Sequence, residues 1–194
     1  NTTDEIGLLA SAFNSMTDQL ESILVGLEQR INERTADLQK NTQVLETIAV
    51  VAREISIIRD MDTLLKVSVE LIRERFNYYH VGIFIIDDRG EFAVLRAASS
   101  VAASQLLEQN YSLKVGQEGM VGLVSRTGQA HIALDVGTDA VHFQNPFLPL
   151  TRSEITLPLR SRSITIGVLD IQTDTQSAFS EQDIKVLQLL AVLL

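Results

Sequence analysis

Residues 80–99 read HVGIFIIDDRGEFAVLRAAS, and the folding of this stretch decides the class of the chain. Two runs rich in Val, Ile and Phe flank Asp-Asp-Arg-Gly. That is the pattern of a β-hairpin in which Gly90 takes a positive φ. In the first run Val81, Ile83 and Ile85 fall on one face, Phe84 and Ile86 on the other. A strand that is apolar on both faces is central and has helices on each side. Further along, EITLPLRS and SITIGVLDIQ flank a short polar turn at 160–163. Ile164, Ile166 and Val168 point one way and Leu169 and Ile171 the other, while Gly167 predicts the close approach of a helix or ligand. The intervening YSLKVGQEGMVGLVSRTGQAHIALDVGTD predicts a short strand, a turn at 116–119, a helical turn ending at 127–128, and a strand at 131–134. DMDTLLKVSVELIRERF predicts a helix capped by Asp60 or Asp62, and AFSEQDIKVLQLLAVLL one capped by Ser180. The sum is α+β, a roughly six-stranded antiparallel sheet with helices at both ends and in the middle.

Ahead of this lies a different text. Thr2 and Glu5 have the spacing of a capping box. Behind them Ile6, Leu9, Phe13, Met16, Leu20, Ile23 and Leu27 recur in alternating steps of three and four, a heptad seam. The seam then slips to a second frame that runs through Leu24, Leu27, Ile31, Leu38, Leu45, Ile48 and Ile55. The slip is a four-residue stutter, which locally unwinds a coiled coil, and Gly26 sits beside it. Arg34 and Asn41 occupy core-type positions of the second frame. A buried Asn fixes register at a cost in stability, and an Arg must snorkel outward. A single helix from residue 3 to about 58 would be roughly 80 Å long. The expected cover for such a rod is a second copy in a parallel homodimer, with Leu27, Ile31, Arg34, Leu38, Asn41 and Leu45 as its switch region. A solvated linker helix with one apolar stripe is the plainer alternative.

Bulk properties narrow the function. Of 194 residues 45% are hydrophobic and 21% charged, and 25 acidic against 16 basic residues give a net charge of −9. An acidic chain is a poor partner for phosphate backbones, so no nucleic acid is expected. No run of Lys and Arg suggests contact with an anionic membrane surface. No apolar run reaches the length of about 18 residues that spans a bilayer. There is no Cys, which fits a reducing compartment and removes thiol catalysis and thiolate metal sites. Without an initiator Met, and starting on a helix cap, the chain is expected to be a segment of something longer.

No catalytic constellation is present, and no metal site is expected. GQEGMVG lacks the Lys of a P-loop, and neither H-E-x-x-H nor G-x-S-x-G occurs. His80 and His131 read as ordinary residues at strand edges. His142 lies in the loop DVGTDAVHFQNPFLP. It has the chemistry of an axial haem ligand, an assignment the sequence does not favour. Asp87 and Asp88 read as turn formers.

DEIGLLASAFNSMTDQL resembles the second helix of a HAMP domain, D-E-[IL]-G-x-L-x-x-x-F-N-x-M, through Asp4, Glu5, Ile6, Gly7, Leu9, Phe13, Asn14 and Met16. INERTADLQKNTQVLE resembles the signalling helix that follows HAMP in bacterial receptors. Residues 46–194 resemble a GAF domain, a PAS-like fold, through four separated stretches in the right order. These are the central hairpin, GQEGMVGLVSRTGQAHIALDV, RSEITLPLRSRSITIGVLDIQTD and FSEQDIKVLQLLA. A PAS domain lacks the spaced glycines Gly116, Gly119 and Gly122. The division implied is 1–45 for the HAMP helix and signalling coiled coil, and 46–194 for GAF.

The resemblance implies a small-ligand pocket between the sheet and the segments joining its middle strands. Gln117, Arg126, Asp135, Asp139, Gln144, Arg152 and Thr156 are its candidate polar groups, with Phe143 and Phe147 as apolar walls. A solvated rim over a closed core is the competing reading. Covalent bilin and methionine sulfoxide reductase chemistry are disfavoured because there is no Cys. Cyclic nucleotide is disfavoured because only Phe179 and Asp183 match the signature, with Ile184 in place of Glu. The cofactor stays unassigned. The expected role is a non-enzymatic relay in a transmembrane receptor, on the cytoplasmic side of an inner membrane, feeding a histidine kinase. Input to a diguanylate or adenylate cyclase, or a ligand-free dimerisation scaffold, are the alternatives.

Overall fold

The computed structural model describes residues 2–56 and 60–194. Within the first helix it describes only some side chains, among them Met16, Leu20 and residues 23–39. The Thr2–Glu5 capping box and the seam positions Ile6, Leu9, Phe13, Ile48 and Ile55 lie outside the described side chains. The chain divides into two compact units, Asn1–Glu46 and Thr47–Leu194.

Helix α1 spans Thr2–Ser56. Leu27, Ile31, Leu38 and Leu45 are all exposed on it, as are Met16, Leu20, Ile23 and Leu24. Thr35 and Thr42 donate their hydroxyls to the carbonyls of Ile31 and Leu38, one turn back. A Cβ added at Gly26 would meet no atom of the described residues, so among them no close contact explains a glycine there.

The second unit is built around one sheet. Helix α2 (Met61–Phe76) begins at Asp60, whose side chain accepts from the Thr63 N–H at 2.9 Å. Its buried Leu65, Val69 and Ile72 follow the helical period. Strands β1 (His80–Ile86) and β2 (Phe92–Ser99) form the expected hairpin, and Gly90 has φ +70°. Helix α3 (Ala103–Glu108), strand β3 (Ser112–Lys114), helix α4 (Gly119–Thr127) and strand β4 (His131–Ala133) follow. The second hairpin is β5 (Ser153–Ser161) with β6 (Ile164–Thr173), and helix α5 (Glu181–Leu193) comes last.

The six strands are ordered β3-β2-β1-β6-β5-β4, and every neighbour is antiparallel. Helix α2 packs on β1 and β2, and α5 on β5, while α4 crosses β6, β5, β2 and β3. Phe84, Leu95, Leu106, Val121, Val124 and Val168 form the core between the sheet and helices α3 and α4.

Three details differ from the sequence expectation. Ile164 and Ile166 are exposed, whereas Val168 is fully buried in the core with Phe84, Val121 and Val124. The close neighbour of Gly167 is the Phe84 carbonyl of strand β1, not a helix or ligand. Helix α3 was not foreseen.

The start of α5 carries a full capping box. Ser180 Oγ accepts from the Asp183 N–H, and Asp183 accepts from the Ser180 N–H. Ser180→Ala is expected to cost about 1 kcal/mol, read as a lower urea midpoint. An unchanged midpoint would mean that Asp183 alone holds the helix end.

Candidate functional site

The antiparallel register sets a polar stripe across the middle of an otherwise apolar sheet. Alternate residues share a face. Glu154 and Thr156 on β5 therefore stand with Gln172 and Asp170, their direct partners on β6. Strand β1 continues the rows with His80 opposite Gln172 and Gly82 opposite Asp170. On the far side His131 of β4 pairs with Thr156. His80, Glu154, Thr156, Asp170 and Gln172 are all buried.

Their hydrogen bonds form one network. Thr156 donates to Asp170 Oδ1 at 3.0 Å, and Gln172 Nε2 donates to Asp170 Oδ2 at 2.7 Å. The Thr151 hydroxyl donates to Gln172 Oε1 at 2.6 Å. His142 Nδ1 lies 2.6 Å from Glu154 Oε2. Among the described residues, no buried side-chain nitrogen or oxygen lacks a hydrogen-bond partner.

Burial governs the protonation of this network, because a low dielectric penalises charge. It pushes Glu154 up to about 7. Asp170 is held well above the ordinary carboxylate range by burial and by the neighbouring Glu154. Burial lowers His80 to about 4 and also lowers His142. Tyr111 is raised to about 12 by burial and by the charge of Asp170.

Above this stripe lies a cavity of about 20 Å³, enough for roughly one or two waters. Its polar wall is His80, Glu154, Asp170 and Gln172, and its apolar wall includes Phe84, Leu95, Leu106, Leu113 and Met120. Phe143, Asn145 and Leu148 of the β4–β5 loop close it. A loop of this length without regular structure is usually functional. Asp139 holds it in two ways. One oxygen accepts the N–H groups of Val141 and His142, and the other lies 2.9 Å from His131 Nε2. Partial burial pushes Asp139 up, but these bonds outweigh it and leave the carboxyl below its usual range.

Of the sequence candidates, Thr156 stands in the network and Phe143 in the cavity wall. Phe147 packs edge-on against Tyr111, with ring centroids 6.4 Å apart. Asp135 accepts the Gly137 N–H and shapes the loop. Gln117, Arg126, Gln144 and Arg152 are exposed and do not line this cavity. The Arg126 side chain instead lies across Gly116. Glu154, Asp170, Gln172 and His80 were not singled out by the sequence reading. Their signal was polar residues two apart within strands that are otherwise apolar. Among the described residues, no group of three or more His, Asp or Glu is placed to hold a metal.

A six-stranded antiparallel sheet packed with helices and closed over a small polar-floored cavity defines an α+β module with a potential ligand site. The family model for the GAF domain matches residues 58–194, and the chain belongs to the GAF-domain family. GAF domain-containing protein A of Dictyostelium discoideum is 28% identical over 116 residues, covering 60% of this chain and 67% of that protein. Two solved structures show the same fold. The free methionine-R-sulfoxide reductase of Neisseria meningitidis, in complex with its substrate, has a TM-score of 0.69 at 24% identity, over 79% of this chain and 87% of that one. The GAF domain of an Acinetobacter phosphoenolpyruvate-protein phosphotransferase has a TM-score of 0.65 at 22% identity, over 79% and 90%. No helix among the described residues is long and apolar enough to cross a membrane.

Proposed function

We propose that the chain is a sensory relay segment of a bacterial transmembrane receptor. Residues 1–45 carry HAMP motion along a dimeric coiled coil, and the GAF domain adds a ligand-dependent input before a histidine kinase output. The segment itself performs no catalysis and lies on the cytoplasmic side. The observation that carries this reading is the row Leu27, Ile31, Leu38 and Leu45, exposed along helix α1. A heptad stripe left in water is stabilised by a second copy. The HAMP-like text from Asp4 to Met16 supplies the upstream half of the reading.

Arg34 and Asn41 break the stripe. Two helix registers then differ by a few kcal/mol, a gap that an upstream twist or a bound ligand can bias. The test replaces both residues with Leu. The wild-type chain is expected to sediment as a concentration-dependent dimer and the double variant as a tighter one. In the full receptor the variant is expected to lock the output in one state. Single chains at high concentration, or unchanged signalling by the variant, would end the proposal.

A further inference from the structure

Strand β2 is covered along only half of its outer edge. Strand β3 pairs with Phe92, Ala93 and Val94, and the Tyr111 carbonyl takes the Leu95 N–H. After β2 the chain leaves the sheet to form α3 and rejoins it only at Ser112. Among the described residues, no strand therefore pairs with residues 96–99 on that side. An open edge presents unpaired N–H and C=O groups to any extended chain. This one is recessed, with α2 on one side and α3 on the other, in a groove of about 550 Å³. Ala97, Ala98, Ser99 and Ser100 form its floor, and side chains this small let another backbone come close. The wall from α3 is Ala103, Ser104 and Leu107. The wall from α2 is charged, with Lys66 and Arg73 beside Asp62 and Glu70. Arg96 adds a third cation. It has no partner in the β1–β2 register, where Ile83 faces Ala97 and Phe84 faces Leu95, and a bulge of this kind re-aims its side chain. Arg73 Nε donates to Ser99 Oγ at 2.9 Å, which ties its guanidinium to the edge. Arg96 lies 3.4 Å from Asp62 in an exposed pair. Such a pair is worth little, so a better-placed carboxylate displaces it.

We propose that this edge receives an extended segment of a partner protein in which acidic and apolar side chains alternate. Successive side chains of a strand point to opposite sides. The acidic ones meet Lys66, Arg73 and Arg96, and the apolar ones meet Ala103 and Leu107. Backbone hydrogen bonds supply the affinity and the two walls the specificity, as in other strand additions. A second copy of the chain is the poorer occupant. Two β2 edges side by side would set the Arg73 and Arg96 of one against those of the other, and like charges facing across strands are destabilising. The groove shares no lining residue with the cavity beneath the β4–β5 loop and is a separate site.

The test titrates the peptide acetyl-Val-Glu-Val-Glu-Val-Glu-amide into the complete chain. Fluorescence anisotropy of a labelled copy gives its affinity, and hydrogen exchange of the amides in 96–99 reports the edge. One control peptide carries Lys in place of each Glu. Two others keep the charges but are N-methylated, one at the Val amides and one at the Glu amides. Each N-methylation blocks one edge of the peptide strand, and only one edge can face β2. The Glu peptide is expected to bind and to slow exchange within 96–99, and the Lys peptide is not. One N-methylated peptide, and not the other, is expected to lose at least roughly tenfold in affinity, about the worth of a single hydrogen bond. Arg96→Glu is expected to reverse the preference between the Glu and Lys peptides. If that variant does not fold, Arg96→Gln serves, with an expected loss of roughly tenfold for the Glu peptide. No protection of the 96–99 amides up to about 1 mM peptide overturns the inference. So does equal binding by the Lys peptide, by both N-methylated peptides, or by the Arg96 variants. Protection that grows with protein concentration in the absence of peptide would make a second copy the occupant and overturn the acidic partner.

Discussion

Gly167→Ala will cost the folded state about 3 kcal/mol, near the upper end of what added volume in a packed interior costs. Gly167 sits on β6, opposite Ile85 of β1 and Leu159 of β5. A Cβ there would lie 2.3 Å from the Phe84 carbonyl oxygen and 3.3 Å from its carbon. These are backbone atoms of a central strand, so no rotamer change relieves the clash. The two strands must part at the point where the hydrogen-bond ladder crosses the middle of the sheet. With no Trp in the chain, tyrosine fluorescence or circular dichroism follows unfolding. The urea midpoint should fall by roughly 1–2 M if the slope is about 2 kcal/mol per M. A loss below about 1 kcal/mol would show that the sheet yields there with little strain.

The second large effect is one of pH. Glu154 titrates near 7 in the folded chain against an ordinary 4.5. Its stabilising contribution is therefore complete below 4.5 and is lost as pH rises through 7. Asp170, also raised, has the same sign and carries the decline further. His80 behaves oppositely. Lowered to about 4 from 6.5, it contributes fully above 6.5 and loses that contribution as pH falls toward 4. His142, lowered as well, shares that sign. Between 4.5 and 6.5 the two slopes offset one another, so the wild-type chain should show a flat stability profile there. Above 6.5 only the carboxyl slope remains, and stability should fall.

Glu154→Gln removes one of the two falling components. Its stability should then gain roughly 2 kcal/mol on the wild type between pH 4.5 and 6.5. His80→Asn should show the mirror image. Urea unfolding across that range decides the matter. Parallel profiles for the wild type and Glu154→Gln would mean that Glu154 takes up no proton on folding.

Legibility followed the sequence range of each interaction. The 80–99 hairpin was readable because its turn chemistry and its apolar runs are neighbours in the chain. The N-caps at Asp60 and Ser180 were readable for the same reason, since a cap and the N–H it binds are three residues apart. Thr156 was reached by its place in a middle strand, and Phe143 by its place in the loop. Gln117, Arg126, Gln144 and Arg152 were reached by polarity alone. A polar side chain on a connecting segment has water as its easiest partner, and all four are exposed. Glu154, Asp170 and Gln172 left a fainter trace. Their alternation with Ile155, Leu169 and Ile171 placed them on one face of each strand, but it did not say that the faces meet.

By itself, then, the sequence determined the elements other than helix α3, the caps at Asp60 and Ser180, the hairpin turns, the acidic charge, the absence of thiol chemistry and the apolar stripe of the first helix. Each of these depends on residues within a few positions of one another. The tertiary structure alone decided that β6 pairs with β1 and β5 in the registers that bring His80, Glu154, Asp170 and Gln172 under one roof. Those residues lie up to 92 positions apart, from His80 to Gln172. Only the backbone ladder, which a slip of one residue would turn inside out, fixes which side chains share a face.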